Sequence, residues 1–577
     1  MNTIRGGAIG LGLIALFAVS PRAADIAIKL VDVAAQSGVT LLNIGGGPAK
    51  DYIIDEVGSG AAWFDYDNDG RLDLLLVNGS TREHAKQGGD PLAALYHNEG
   101  NGRFTDVTAG SGMTRRGWGM GACVADYDND GFDDVYVTSA VGTNVLYRNN
   151  RNGTFSDATR QAGVGDTGWS TGCAFGDYDR DGHVDLYVAH YLKFDEKTIA
   201  KRGETAGCRF MTVDVSCGPQ GLPGEADVLF HNNGRGAFAD VTRAAGIKDP
   251  GYYGFGVLFT DLDHDGWPDI FVANDTTPNL LFHNNRNGTF SETALVSGAA
   301  LSGDGREQSG MGVDAADYNR DGHFGLVVTH FSHDYTTIYE NSGRGFFTDA
   351  SYASGVAVGA GRYLGWGVGF VDFTNSGLLD LFIANGHIYP EVDSHGLGTK
   401  YRQRKQLFRN LGNRRFKEIT DEVGGGLLLE KASRGAAFGD YDNDGDIDAV
   451  VINLDDRPTL LRNDTASGNH WLTLQLVGVR SNRDAIGARV RVTAGGHAQS
   501  AEVRSGGSYL SHNDRRVHFG LGAATRADEV RIEWPGGVAE TLKNVQSDRF
   551  YVASEGQGVR LTELRPSSGA APPSRAR

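Results

Sequence analysis

The sequence predicts an all-β fold: a seven-bladed β-propeller closed by an N-terminal strand, followed by a small C-terminal β-sandwich or barrel. Three observations carry this. An acidic loop between two apolar strands recurs seven times, opening at Asp65, Asp126, Asp177, Asp261, Asp317, Asp372 and Asp440. Short apolar runs separated by Asn-Gly and Asn-Asn turns fill much of the chain, which holds 83 glycines in 577 residues. The seventh repeat lacks its last strand, and the start of the chain carries a spare one.

Residues 1–24 have the layout of a secretory signal peptide: Arg5, an apolar stretch from Ala8 to Val19, then Ala23-Ala24. The apolar run is short for a bilayer span, so export to the periplasm, cell surface or medium is expected, with no transmembrane span in the mature chain; a retained N-terminal anchor is the alternative. The propeller is expected over 25–464. Its unit is clearest from Trp118: a first strand to Ala125, the loop Asp126 to Asp134, a second strand from Val135, a third at Val145-Leu-Tyr-Arg148, an Asn-rich turn, and a fourth from Thr154. The last unit stops after Leu460-Leu-Arg-Asn463, whereas Lys29 to Ala35 forms an orphan strand. Supplying that strand to the seventh unit closes the ring and hides the edges that an open array would expose. Residues 465–556 alternate apolar and polar positions, as in Trp471-Leu-Thr-Leu-Gln-Leu476 and Val530-Arg-Ile-Glu-Trp534, the pattern of half-buried strands. The Pro/Ser/Ala tail, 557–577, reads as disordered.

Composition narrows the function. The formal charge of -18 derives from 72 acidic against 54 basic residues, and the five complete loops hold twenty of the aspartates. With no basic stripe, a nucleic-acid partner is disfavoured. Carboxylates at loop positions 1, 3, 5 and 9 with glycine at 6 gather hard oxygen ligands around one point, which suits calcium. The ligand sets are Asp65, Asp67, Asp69, Asp73; Asp126, Asp128, Asp130, Asp134; Asp177, Asp179, Asp181, Asp185; Asp261, Asp263, Asp265, Asp269; and Asp440, Asp442, Asp444, Asp448. The fifth loop has Asn319 and Gly325 in place of aspartates and the sixth has Thr374 and Ser376, so both are expected to bind weakly or not at all. Flanking strands and the lack of a glutamate at position 12 exclude an EF-hand.

The strand-loop-strand units resemble FG-GAP/VCBS repeats, the type found in integrin α-subunit propellers. Asn482-Arg-Asp-Ala-Ile-Gly-Ala-Arg-Val490, Gly507-Ser-Tyr-Leu-Ser-His-Asn-Asp514, His518-Phe-Gly-Leu-Gly522 and Glu533-Trp-Pro-Gly-Gly537 resemble the ASPIC/UnbV domain. The combination is similar to the cartilage acidic protein family and its bacterial relatives. That resemblance implies an exported calcium-binding propeller and names an architecture better than an activity.

Further positions recur. Five residues past each loop stand Asn78, Ser139, His190, Asn274, His330, Asn385 and Asn453, and the first strands begin near Trp118, Trp169, Tyr253, Trp366 and Arg434. Strand length carries both sets to the face opposite the loops, where they are expected to line a ligand face for protein or carbohydrate, or else to cap loops and pack between blades. Cys208 and Cys217 bracket an insertion and are expected to be bonded. Cys123 and Cys173 have opposite parity before their loops, which predicts buried free thiols on opposite strand faces. No Gly-x-Ser-x-Gly, His-Glu-x-x-His or phosphate-cradling motif occurs. The leading expectation is a binding or adhesion module; the rival is an enzyme acting on glycans or a secondary metabolite at the axial face, favoured if acids with raised pKa cluster there.

Overall fold

The structure is a computed structural model describing residues 26–205 and 207–556, with the backbone of 562–563. The expected signal peptide lies outside the described residues. Seven antiparallel sheets follow one another along the chain, each with the strand order expected of a blade. In the second these are Arg116–Ala125, Asp134–Val141, Val145–Asn149 and Phe155–Asp157. The seventh takes its fourth strand from the N-terminus: Leu30–Asp32 pairs antiparallel with Thr459–Asn463 in the register Leu30↔Asn463, Asp32↔Leu461.

The first strands touch in turn around an axis, and the seventh returns to the first. An asparagine ending each third strand binds these sheets to one another. Its Nδ2 donates to the backbone carbonyl of loop position 2 in the preceding blade: Asn149 to Tyr66, Asn232 to Tyr127, Asn284 to Tyr178, Asn341 to Leu262, Asn410 to Tyr318 and Asn463 to Phe373, at 2.7–3.1 Å. Asn98 completes the circuit by donating to Tyr441 at 2.8 Å. These asparagines are buried, so each bond saves a carbonyl and an amide from being desolvated unpaired.

Residues 470–554 form a three-stranded and a four-stranded sheet face to face, the first holding His470–Val477 and Val517–Gly522, the other Arg489–Ala494 and Arg526–Glu533. Leu472 and Leu474 meet Val490, Val530 and Ile532 in their shared core. Thr562–Glu563 adds a short strand to Arg549–Ser554, so the tail expected to be wholly disordered contributes to the sheet at these two residues. The domain sits on the acidic loops. Arg483 N donates to Asn129 Oδ1, Arg516 Nη1 to Asn443 Oδ1, and Asn469 Nδ2 to the Thr374 carbonyl. From it Gly506–His512 enters the axis, bridging to Ala62, Leu258 and Val313 of three first strands.

One expectation fails. Cys123 and Cys173 are bonded, with Cα atoms 5.8 Å apart. Opposite parity separates two residues on one sheet, but these belong to consecutive blades. Cys123 and Ala125 share one core with Cys173 and Phe175, whereas Ala122 and Val124 pack back onto Ala62 and Phe64. Opposite faces of consecutive blades therefore meet. Cys208 and Cys217 are also bonded.

Candidate cation loops and an axial cavity

Each loop is shaped by its backbone before any ion is considered. In the first, Asp65 Oδ1 accepts from the amide of Asp69 and Oδ2 from Gly70, while Asp73 Oδ1 accepts from Asn98 N at 2.7 Å. The second repeats this with Asp126 and Asp134. Positions 4 and 6 adopt left-handed backbone: Asn68 has φ 60 and Gly70 φ 86, Asn129 φ 56 and Gly131 φ 92. Asparagine tolerates that conformation, and its side chain reaches the next loop. Asn68 donates to the Gly131 carbonyl, Asn129 to Gly182, Asn375 to Gly445 and Asn443 to Gly70. The loops are consequently linked to one another, which sequence reading missed although the recurrent asparagine was visible.

The carboxylates converge. Asp65, Asp67 and Asp73 each offer an oxygen within 4.8 Å of the others, as do Asp126, Asp128 and Asp134. Asp67 Oδ1, Asp128 Oδ1 and Asp179 Oδ1 are buried without a hydrogen-bond donor. Burial, with neighbouring aspartates adding to it, pushes Asp65 and Asp177 up to about 7 and Asp126, Asp185 and Asp261 up to about 8. Asp440 and Asp448 are raised well above the usual carboxylate range for the same reasons. A divalent cation removes that cost, and orphaned oxygens are the ligands it requires.

Residues outside the predicted sets also reach the loops. His97, His231 and His283, from third strands, place Nδ1 3.0–3.3 Å from the position-9 aspartates Asp73, Asp185 and Asp269. The recurring Leu-Tyr/Phe-His-Asn was their sequence signal. Arg148 occupies the matching place in the second blade and bonds Asp128 at 2.6 Å. The two depleted loops are satisfied in part from within: Thr374 and Ser376 hydroxyls donate to Asp372 Oδ1, and Asn319 Nδ2 donates to Asp321, while Asp380 Oδ2 of the sixth loop is buried without a donor.

The expected ligand face is corrected. Asn78, Ser139, His190, Asn274, His330, Asn385 and Asn453 are buried, as are Trp118, Trp169 and Trp366. Most of the polar residues serve loop backbone: Asn78 Oδ1 accepts from Ile44 N, Ser139 Oγ donates to Trp118, and Nδ2 of Asn274, Asn385 and Asn453 donates to carbonyls of Pro278, Arg404 and Arg457. His190 Nε2 pairs with Asp166 at 2.6 Å. His330 is buried with both ring nitrogens unpartnered. The tryptophans surround Tyr509 and Leu510 of the inserted segment. Tyr509 donates to the Val57 carbonyl at 3.0 Å, and its ring meets Trp366 edge-on at 4.8 Å. Ser511, Arg515 and Arg516 serve the same docking: Ser511 Oγ accepts from Ala61 N, Arg515 bonds Asp133 and Asp484, and Arg516 bonds Asn443.

Between this plug and the opposite end of the axis lies a cavity of about 360 Å³. The disulfide-stapled insertion roofs it, with Val213 and Val215 crossing to pack on Tyr389 and Val392 in the sixth blade. Ser216 Oγ donates to Glu56 Oε1 at 2.6 Å, and Glu56 Oε2 is buried with no partner. Burial raises Glu56 to about 8 and Asp275, which accepts from Tyr191 Oη at 2.7 Å, to about 6.

This architecture defines a class: an FG-GAP repeat propeller carrying an ASPIC/UnbV domain. The chain matches the FG-GAP-like repeat over 65–137, 126–188, 213–272 and 261–328, and the family described as ASPIC and UnbV over 478–560. It is similar to cartilage acidic protein 1 of Mus musculus, 26% identical over 518 residues, 83% of this chain and 70% of that protein. The Homo sapiens protein of that name is also 26% identical, over 83% of this chain and 69% of its own, and that of Xenopus tropicalis 24%, over 88% and 76%. Among solved structures, an Agrocybe aegerita lectin aligns with TM-score 0.38 and 16% identity over 70% of this chain and 94% of its own. Trypanosoma rangeli sialidase aligns with TM-score 0.33 and 9% identity over 70% of this chain and 54% of its own.

Proposed function

We propose that this protein is an exported, calcium-stabilised propeller acting as a binding or adhesion module for a protein or carbohydrate, with calcium in the five complete loops and the C-terminal domain beginning near residue 465 as their cover. The observation that carries the calcium reading is the set of buried, donor-less oxygens on Asp67, Asp128 and Asp179 inside carboxylate clusters whose neighbours burial drives toward neutrality. An ion held there by these residues neutralises their repulsion and supports the hairpins; it supplies no reaction step. Two disulfides fit an oxidising compartment. No helix among the described residues is long and apolar enough to cross a membrane. The partner's surface lies on the exposed rim of the propeller, since the axial residues are buried. A glycan and peptide array probed with and without calcium tests this: calcium-dependent capture supports it, and calcium-independent or absent capture contradicts it.

A second reading has one observation in its favour, the raised Glu56 and Asp275 carboxyls at one cavity. Such groups suit acid-base chemistry. A roofed space of about 360 Å³ admits a small molecule and not a glycan chain, so binding is favoured over glycan hydrolysis.

A further inference from the structure

The axial cavity carries unsatisfied chemistry that packing does not account for. Glu56 is 1% exposed, yet Oε2 has no donor while Oε1 is held by Ser216. Thr276, on the wall beside Asp275, has a buried Oγ1 without a partner and a left-handed backbone at φ 54. A β-branched residue in that conformation is strained, and strain of this kind collects at binding and catalytic sites. Gln220, Thr276 and Ser309 line both this cavity and an adjoining groove of about 790 Å³, which gives the cavity a route outward.

The remaining wall is aromatic, including Tyr191, Phe210, Trp366 and Tyr389. On this wall a cation is already held: the Arg434 guanidinium lies 4.3 Å from the centre of the Trp366 ring. Arg434 does not neutralise the carboxyls directly, because it donates to backbone carbonyls of Glu56, Gly386, Ser433 and His387. Arg209, the basic residue on the wall, is paired with Asp214 at 3.1 Å. Lys50 and Arg434 act on Glu56 only at longer range and Asp275 is held by the Tyr191 and Ser309 hydroxyls, so among the described residues neither acid has an ion-pair partner, and both face the cavity among rings whose faces attract positive charge.

We infer that the axial cavity binds a small organic ammonium ion, its charge set between the Glu56 and Asp275 carboxylates and its carbon chain against the aromatic wall. This deepens the reading of the propeller as a binding module, and it can fail while rim binding stands. Burial keeps Glu56 protonated near neutrality in the empty cavity, so an entering ammonium displaces a proton as the carboxylate ionises. A neutral ligand leaves that proton in place.

The test is saturation-transfer NMR on the full, calcium-loaded protein with butylammonium chloride, butan-1-ol and N-acetylglucosamine as separate probes, alongside calorimetry in two buffers of different ionisation enthalpy. Butylammonium is expected to bind with proton release and to lose at least about tenfold in affinity in Glu56→Gln. Asp275→Asn is expected to weaken it too, with thermal melting of each variant confirming the fold. Equal binding of butan-1-ol, preference for the sugar, no binding of any probe, or full affinity in both variants would overturn the inference. A positive array result with a negative amine result would retire this site alone.

Discussion

Asn98, at the end of a third strand in the first blade, donates its side-chain amide to the carbonyl of Tyr441 in the seventh, 343 residues away, at 2.8 Å. The same Nδ2 also reaches the Leu72 carbonyl at 2.9 Å. Six equivalent bonds join the other neighbouring pairs, so this one closes the ring beside the pairing of Leu30–Asp32 with Thr459–Asn463. Asn98→Ala leaves two buried carbonyls short of a donor and is expected to cost about 1–3 kcal/mol. Removing residues 26–40 is expected to cost far more by exposing the edge of the last blade. Chemical denaturation of both variants checks this; unchanged midpoints would show that the ring does not depend on its closure.

Cys123 and Cys173 join consecutive blades, and Cys208 and Cys217 staple the roof of the axial cavity. Non-reduced peptide mapping is expected to recover both pairs. Replacing Cys123 and Cys173 together by alanine is expected to lower stability by about 2–4 kcal/mol, as loss of a long-range crosslink does. Recovery of free thiols at 123 and 173 would contradict the blade packing described above.

What could be read from the chain, and what could not, follows from the range of the interactions. The loop aspartates and the closing strand were legible because each repeat carries its own copy of the pattern, and departures such as Thr374 stand out against it. The Cys123–Cys173 bond was misread because strand parity describes one sheet, whereas it is the contact of two sheets that sets the partner. The Asn78 and Trp118 sets were legible as recurring positions, but the loops that bond the first set and the Tyr509–Leu510 segment that packs on the tryptophans carry no signal in the repeat itself. His97, His231 and His283 recur visibly, yet only the folded blade brings their rings to the carboxylates.

Tyr509 fills the axis between Trp366 and Phe255. Truncation to alanine is expected to cost about 3–5 kcal/mol, the range for deleting a buried aromatic ring. It is also expected to loosen the C-terminal domain, since Tyr509 lies on the segment that joins it to the propeller. Melting and limited proteolysis at the 465 boundary check this. A stable variant with no new cleavage would show that the plug is dispensable.

Glu56 predicts a pH dependence. Burial is the main cause of its rise to about 8 from an ordinary 4.5, with Asp55 adding to it and Ser216, Lys50 and Arg434 opposing. The folded state holds the proton more tightly than the unfolded chain, so this contribution is complete below about 4.5 and is lost as pH rises to about 8. At saturating calcium, which fixes the loop aspartates, wild type is expected to lose stability over that window more steeply than Glu56→Gln. Parallel slopes would place the proton elsewhere.

Calcium titration of chelator-treated protein by calorimetry, paired with melting curves, tests the central claim most directly. Four aspartates in each of five loops predict about four to five ions bound at roughly 10⁻⁵ to 10⁻³ M and a substantial loss of melting temperature on chelation. Asp128→Ala and Asp442→Ala are each expected to remove one site, and Thr374→Ala none, because its hydroxyl serves Asp372. Fewer than about four ions, or a melting temperature indifferent to chelator, would contradict the account.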